Sequence, residues 1–110
     1  MAVQNMVERT LGRKPGYYHA ETLADGVTGD PVVVPGLNGL PVTCTIIIVG
    51  TSGKVEFTTS SDAEVIADTA DWQDWASGTV TADTSDALIG PVTAVRGVSV
   101  SGEVKFQVVI

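Results

Sequence analysis

The sequence has 110 residues, a length that fits one domain built around a single core. Its formal net charge of −7 argues against nucleic acid or an anionic membrane as the partner of the folded body. Cys44 is the only cysteine, which excludes an intramolecular disulfide, and residues 1–20 lack the apolar run of a signal peptide. We therefore expect a soluble protein that is made in a reducing cytoplasm.

Composition predicts an all-β fold. The chain contains 18 valines and 13 threonines, and such β-branched side chains fit the pleated surface of a strand. Its 12 glycines and five prolines lie mostly between the apolar runs, where turns require them. We predict an antiparallel β-sandwich, jelly-roll-like, in which residues 21–110 form the single domain and residues 1–20 an extended N-terminal arm.

The N-terminal arm has the pattern of one short amphipathic helix. Val3, Met6, Val7 and Leu11 recur at helical spacing, and such a helix needs a surface to lie on. The charged residues of the arm are one acid and three cations, Arg9, Arg13 and Lys14, giving +2, whereas three cations and twelve acids give residues 21–110 a charge of −9. A basic arm on an acidic body predicts docking on an acidic neighbour, including another copy, and an arm that can be removed without unfolding the body. The alternative is a frayed chain start.

Tyr17 and Tyr18 lie near the end of the arm, after Pro15 and Gly16. Two adjacent tyrosines either contact a partner, because their rings bury much area at low entropic cost, or cover the edge of their own sheet. His19 is the only histidine and makes a poor metal site alone. Further along, Asn38-Gly39 is typical of a type I′ turn.

Two similar segments predict β-hairpins. Residues 52–57 read Ser-Gly-Lys-Val-Glu-Phe and residues 101–106 read Ser-Gly-Glu-Val-Lys-Phe. Each copy follows an apolar run, at residues 42–49 and 92–100, and itself alternates apolar with polar residues. Strands on both sides of a glycine-containing break indicate hairpins, and two hairpins indicate two sheets over a common core.

Residues 59–78 are acidic and irregular. Ser61 and Glu64 have the spacing of a capping box, which predicts one helical turn. Acids at 62, 64, 68, 71 and 74 raise the alternative of a calcium site, but their spacing fits no EF-hand loop. We predict solvated turn acids, and no metal or cofactor.

Trp72 and Trp75 are the two largest side chains. In a strand, three-residue spacing directs them to opposite faces, one to the core and one outward, where it can stack on sugar or insert into a neighbouring subunit. The alternative is that both pack within the chain. Residues 79–82 then predict a short strand, and residues 83–86 a polar turn.

An enzyme is the least favoured class. Hydrolytic or transfer chemistry needs a nucleophile with a base, a metal, or two carboxylates in contrasting environments. One histidine, one cysteine in an apolar run and scattered turn acids supply none of these. We predict no catalytic residue.

Four segments of the chain carry a resemblance to a known group of proteins: residues 72–75, 78–82, 85–96 and 100–106. Together they resemble small virion proteins of tailed bacteriophages, above all the head accessory proteins that decorate or cement the capsid shell. The resemblance covers residues 40–110 and rests on pattern, without a chemical motif.

The resemblance implies a sandwich or jelly-roll body, a homo-oligomer with a trimer favoured, and the major capsid protein as partner. The location would be the capsid surface of a virion assembled in the host cytoplasm. The partner-binding residues that we predict beside this resemblance come from the arm and the tryptophans: Val3, Met6, Val7, Arg9, Leu11, Arg13, Lys14, Tyr17, Tyr18, Trp72 and Trp75. The alternative function is a tail-associated or glycan-binding jelly-roll module, because the chain ending also resembles the closing strands of such domains.

Overall fold

The computed structural model describes residues 3–9, 16–35, 41–88 and 91–110. This part of the chain is mostly β-structure, in two five-stranded sheets, with one helix of little more than a turn. Its Cα radius of gyration is 13.2 Å, close to the ~13 Å expected of a compact chain of about 100 residues. The predicted all-β class is confirmed.

The chain changes sheet after most of its strands. In chain order the elements are β1 (Gln4–Asn5), β2 (Val7–Arg9), β3 (Gly16–Leu23), β4 (Val32–Val33), β5 (Val42–Ile48), β6 (Ser52–Thr58), α1 (Asp62–Ile66), β7 (Gln73–Asp74), β8 (Thr84–Leu88), β9 (Ala94–Ser101) and β10 (Val104–Val109). The first sheet has the order β1-β4-β9-β6-β7, and the second has the order β2-β3-β10-β5-β8. Among the described strands that follow each other in the chain, the pairs β2–β3 and β6–β7 alone stay within one sheet. Only β1 and β4 pair in parallel; the other described pairs are antiparallel.

One hydrophobic cluster draws on both sheets. In β10, Val104, Phe106 and Val108 are buried while the residues between them are exposed, as the period-two pattern predicts. Val55 and Val95 of the first sheet are fully buried in the same cluster. Each sheet therefore buries one face against this shared core.

The prediction of two hairpins is wrong. β5 lies in the second sheet and β6 in the first, while β9 lies in the first sheet and β10 in the second. Each connection therefore crosses from one sheet to the other as an arch. Alternation of apolar and polar residues determines which face of a strand is buried. It does not determine whether two successive strands pair in one sheet or lie in opposite sheets, because both arrangements bury the same faces. Here β5 pairs with β10 and β6 with β9, so each strand pairs with one from the other arch.

The two arches interlock through glycine. The N–H groups of Val49 and Gly50 donate to the carbonyl of Glu103 at 3.1 and 2.8 Å, and Thr51 donates to Ser101 at 2.9 Å. A side chain at Gly50 would overlap the backbone of Gly102. Gly50 and Gly102 therefore mark the close approach of the two arches.

The predicted N-terminal helix is also wrong for the residues described. The segment forms β1 at the edge of the first sheet and β2 at the edge of the second. Met6, between the two strands, is in the core, whereas Val7 is 55% exposed. Two open sheet edges offer this segment main-chain partners, which a helix this short would not obtain in water.

The rest of the predicted arm that is described, residues 16–20, lies in β3 between β2 and β10. The described arm is thus incorporated into the sheets rather than extended from them. Deleting residues 2–18 would remove β1, β2 and part of β3. We therefore no longer expect that the arm can be deleted while the body stays folded. Leu11, Arg13 and Lys14 lie outside the described residues, as does the turn predicted at Asn38-Gly39.

The helix prediction at Ser61 is confirmed. The Ser61 hydroxyl accepts a hydrogen bond from the Glu64 N–H at 3.3 Å, which is the N-cap contact of a capping box, and it donates to Glu64 Oε1 at 3.0 Å. The strand predicted over residues 79–82 is wrong, since only Val80 makes an isolated bridge there, to Gly53. The polar residues that follow form β8 rather than a turn, because β5 offers them an unpaired edge. No described helix is long and apolar enough to cross a membrane.

Candidate partner-binding surfaces

The structure divides the predicted partner-binding residues into buried and accessible ones. Met6 is in the core, and Val3 is half-buried. Tyr17 packs against the core and Tyr18, on the opposite side of β3, is 45% exposed. For Arg9 only the backbone, in β2, is described. Of these arm residues, Val7 and Tyr18 are the ones left accessible.

The two tryptophans face opposite ways, as their spacing predicts. Trp75 is 2% exposed, and its Nε1 donates to the carbonyl of Gly78 at 2.6 Å. It is therefore unavailable to a partner, and its prediction as a contact residue is corrected. Trp72 is half-buried on the outer side of the first sheet, where the Arg96 guanidinium lies 4.2 Å from its ring centroid.

Arg96 belongs to a charged network on that outer side. Its Nη2 is 2.7 Å from Glu56 Oε1, and Lys54 Nζ is 2.8 Å from Asp74 Oδ1 and 3.4 Å from Glu56 Oε2. The hydrogen bond to Asp74 is the main cause that raises the pKa of the Lys54 ammonium. Both cations are thus matched by nearby acids, and this surface is internally satisfied.

The outer side of the first sheet is also covered by the chain itself. Thr58 and Ala94, opposite each other in β6 and β9, point away from the core and are nevertheless 0% exposed. The Thr58 hydroxyl donates to the carbonyl of Asp71 at 2.7 Å, which places the connection of residues 59–72 over them. Val65 of α1 is buried outside the core cluster, which indicates packing on this outer side.

Cys44 is not a nucleophile in this fold. Its side chain is fully buried and its residue is registered with Asp86 of β8. Burial, with a smaller contribution from the Asp86 carboxylate, raises the pKa of the Cys44 thiol to about 12. The thiol therefore stays protonated at neutral pH, when only a thiolate would react.

A polar pair lies on the inner side of β3. His19 Nε2 is 3.5 Å from Glu21 Oε2, which also accepts a hydrogen bond from Gln4 Nε2 at 3.0 Å. The same Gln4 nitrogen donates to the carbonyl of Asp30 at 3.0 Å. These contacts tie β1 to β3 across the gap between the sheets, which is a structural role.

Metal ligands do not cluster in the described residues: no group of three or more His, Cys, Asp or Glu side chains could hold an ion there. Within the acidic stretch, Asp74 is paired with Lys54 and Glu64 completes the cap of α1.

Three exposed valines lie along the backbone near the point where the arches interlock, a region we call the arch end. Val27, Val49 and Val100 are 42%, 54% and 47% exposed. The Val27 carbonyl accepts from the N–H of Ser99, and the Val49 N–H donates to Glu103, so all three lie beside residues 99–103. Sequence reasoning missed them, because their position depends on long-range strand pairings.

The outer side of the second sheet carries two rows of uncharged side chains, which we call the neutral face. The first row crosses all five strands as Val7, Tyr18, Val109, Thr43 and Ala87. The second row crosses four strands as Ala20, Gln107, Thr45 and Ser85. Most of these side chains are exposed and the others are half-buried. Neither row contains an ionic group, although the chain has thirteen acids.

Comparison with known proteins adds no family: no protein-family model, no curated protein sequence and no solved structure matches this chain. Functional inference therefore rests on the surfaces just described.

Proposed function

We propose that this chain is a non-enzymatic structural protein of a bacteriophage virion, of the type that decorates or cements the capsid shell. It attaches to the major capsid protein through the arch end. The observation that carries the proposal is that three exposed valines, Val27, Val49 and Val100, lie along the backbone of the interlocked arches. Clustered apolar side chains on a soluble protein are characteristic of protein–protein contacts, whereas single ones are not.

Rigidity supports the arch end as the attachment surface. The interlocked arches are joined by main-chain hydrogen bonds, and Gly102 N–H also donates to Asp25 Oδ1 at 2.7 Å. The Ser99 hydroxyl accepts from the Gly26 N–H at 3.1 Å and donates to the carbonyl of Gly102. A surface that is ordered before binding loses little conformational entropy when it binds. Attachment then depends mainly on apolar burial.

The shared core supports a stacked arrangement of the two sheets, and we propose a β-sandwich of the jelly-roll type. Two arches that cross the core are compatible with such a stack. Glycan binding, the alternative function, gains no support from the tryptophans. Trp75 is in the core and Trp72 is stacked on Arg96, so the two rings form no open aromatic row.

The test is co-sedimentation with capsid shells assembled from the major capsid protein encoded by the same genome. We expect the native chain to sediment with the shells, and Val49→Asp combined with Val100→Asp to lower the bound fraction at least tenfold, because each aspartate leaves a charge in an apolar contact. Ile66→Asp is the matched control, since Ile66 is 64% exposed on α1.

Equal binding by the double variant and the control would reject the arch end as the attachment surface. No binding by the native chain would reject shell decoration itself. Circular dichroism of all three chains checks that each variant is folded.

A further inference from the structure

We propose that the neutral face is a self-association surface, on which two copies of this chain pack face to face about a two-fold axis. This surface is distinct from the arch end, and the inference does not depend on attachment to a shell. It explains why the described segments cover the outer side of the first sheet and leave the outer side of the second sheet open.

The distribution of charge indicates that the partner on the neutral face is a second copy of this chain. Each chain carries −7, so two copies repel wherever acidic surfaces meet. The connection that covers the first sheet presents four exposed acids, Asp62, Glu64, Asp68 and Asp71. The two rows of the neutral face present no acid, which makes them a surface that identical copies can bring together without opposing carboxylates.

The chemistry of the rows is self-complementary. In a two-fold contact the same patch meets itself, so its groups must match their own kind. Hydroxyl and side-chain amide groups can each donate and accept hydrogen bonds, whereas a carboxylate only accepts them and an ammonium only donates them. Tyr18, Thr45, Ser85 and Gln107 supply such groups, while Val7 and other apolar residues supply dry contact.

Lys105 lies outside the two rows, next to Thr22 and toward the arch end of β10. A two-fold axis that runs across the strands, between the two rows, lays each row on the other row of the partner and carries the two Lys105 side chains to opposite ends of the contact. The one exposed cation of β10 therefore does not oppose its copy. A surface that packs on itself about a two-fold axis forms a closed dimer, whereas the phage resemblance implies a trimer.

The size of the face predicts a weak pair. Five strands spaced by ~4.8 Å and two rows that together take up about four residues of ~3.3 Å give a projected area of roughly 320 Å². A standard interface buries about 800 Å² per partner. We therefore expect association at roughly 100 μM rather than in the nanomolar range.

The experiment is sedimentation velocity of the purified full chain from about 5 μM to about 1 mM. We expect the weight-average mass to rise from that of a monomer toward that of a dimer. Raising sodium chloride from about 50 to about 500 mM should strengthen the pair, because salt screens the repulsion between two −7 chains and costs an uncharged contact little.

Ala20→Arg places a cation in the second row of the neutral face and should weaken the pair at least tenfold. Its matched control is Ala76→Arg, at an exposed alanine that lies outside both rows of the neutral face. Gln107→Glu is a nearly isosteric second variant on the same row and should weaken the pair by bringing two carboxylates close together. Both substitutions lie at exposed positions, and circular dichroism checks the fold.

A chain that stays monomeric at about 1 mM overturns the proposal. So does a dimer that weakens as salt rises, or one that Ala20→Arg and Gln107→Glu leave as strong as the Ala76→Arg control. Because no shell is present, none of these outcomes depends on the decoration function.

Discussion

Strands β6 and β10 carry nearly the same sequence in different surroundings. Residues 52–57 and 101–106 both read Ser-Gly-x-Val-x-Phe, with lysine and glutamate exchanged around the valine. Val55 and Val104 are each 0% exposed in the shared core. On the outer sides the two copies differ, because residues 59–72 pass over the first sheet and no described segment passes over the second.

The charged residues of the two copies show the consequence. Lys54 and Glu56 are half-buried in a network with Asp74 and Arg96. Their counterparts Glu103 and Lys105 are exposed and make no ion pair with any described residue. A repeated motif thus fixes the inner face of a strand, whereas the path of a remote connection decides whether its outer face is covered.

The largest expected difference between the copies lies at their phenylalanines. Phe106 is fully buried and Phe57 is half-buried at the margin of the core. Phe106→Ala should lower the free energy of unfolding by about 3–5 kcal/mol through lost burial and a cavity, and Phe57→Ala by about half as much. Urea denaturation measures both, and equal losses would show that the two copies pack alike.

A smaller effect is expected where the chain covers the first sheet. Val65→Ala removes two methyl groups from a buried position and should cost about 1.5–2 kcal/mol. Val7→Ala on the neutral face of the isolated chain should change stability by less than about 0.5 kcal/mol, because Val7 is exposed. Thermal and urea unfolding at low protein concentration give both values. If Val65→Ala left the free energy of unfolding unchanged, α1 would not cover the first sheet.

The smallest expected difference is electrostatic. Glu56→Gln leaves the half-buried Arg96 without its counter-charge and should cost about 1 kcal/mol. Glu103→Gln, the same change in the exposed copy, should cost less than about 0.5 kcal/mol. Urea unfolding of the two variants compares them directly, and a larger loss for Glu103→Gln would contradict the unequal surroundings.

The sequence predicts the inner faces well. Alternation in β10 and β6 correctly selects Phe106 and Val55 for the core, and the capping box correctly starts α1 at Asp62. These features are local, since each depends on residues a few positions apart. The spacing of Trp72 and Trp75 likewise predicts one buried ring and one on the outer side.

The errors concern partners distant in the chain. Whether β9 pairs with β10 or with β6 depends on how two arches fit together, and alternation is the same in both cases. The N-terminal residues have a helical apolar spacing, yet open edges at β4 and β3 recruit them as strands. The polar segment at β8 is a strand for the same reason. The position of the arch end depends on these long-range strand pairings, so it could not be predicted from the sequence.

The most direct test of the difference between the two outer sides is a dilution series of amide proton–nitrogen spectra, from about 1 mM to about 20 μM. We expect the concentration-dependent shifts to fall on the neutral face, around Ala20, Thr45 and Gln107, with the amides of residues 59–72 unchanged. The opposite result would be concentration-dependent shifts in residues 59–72 and β6 and none on the neutral face. It would contradict the assignment of the second sheet as the surface that meets another copy.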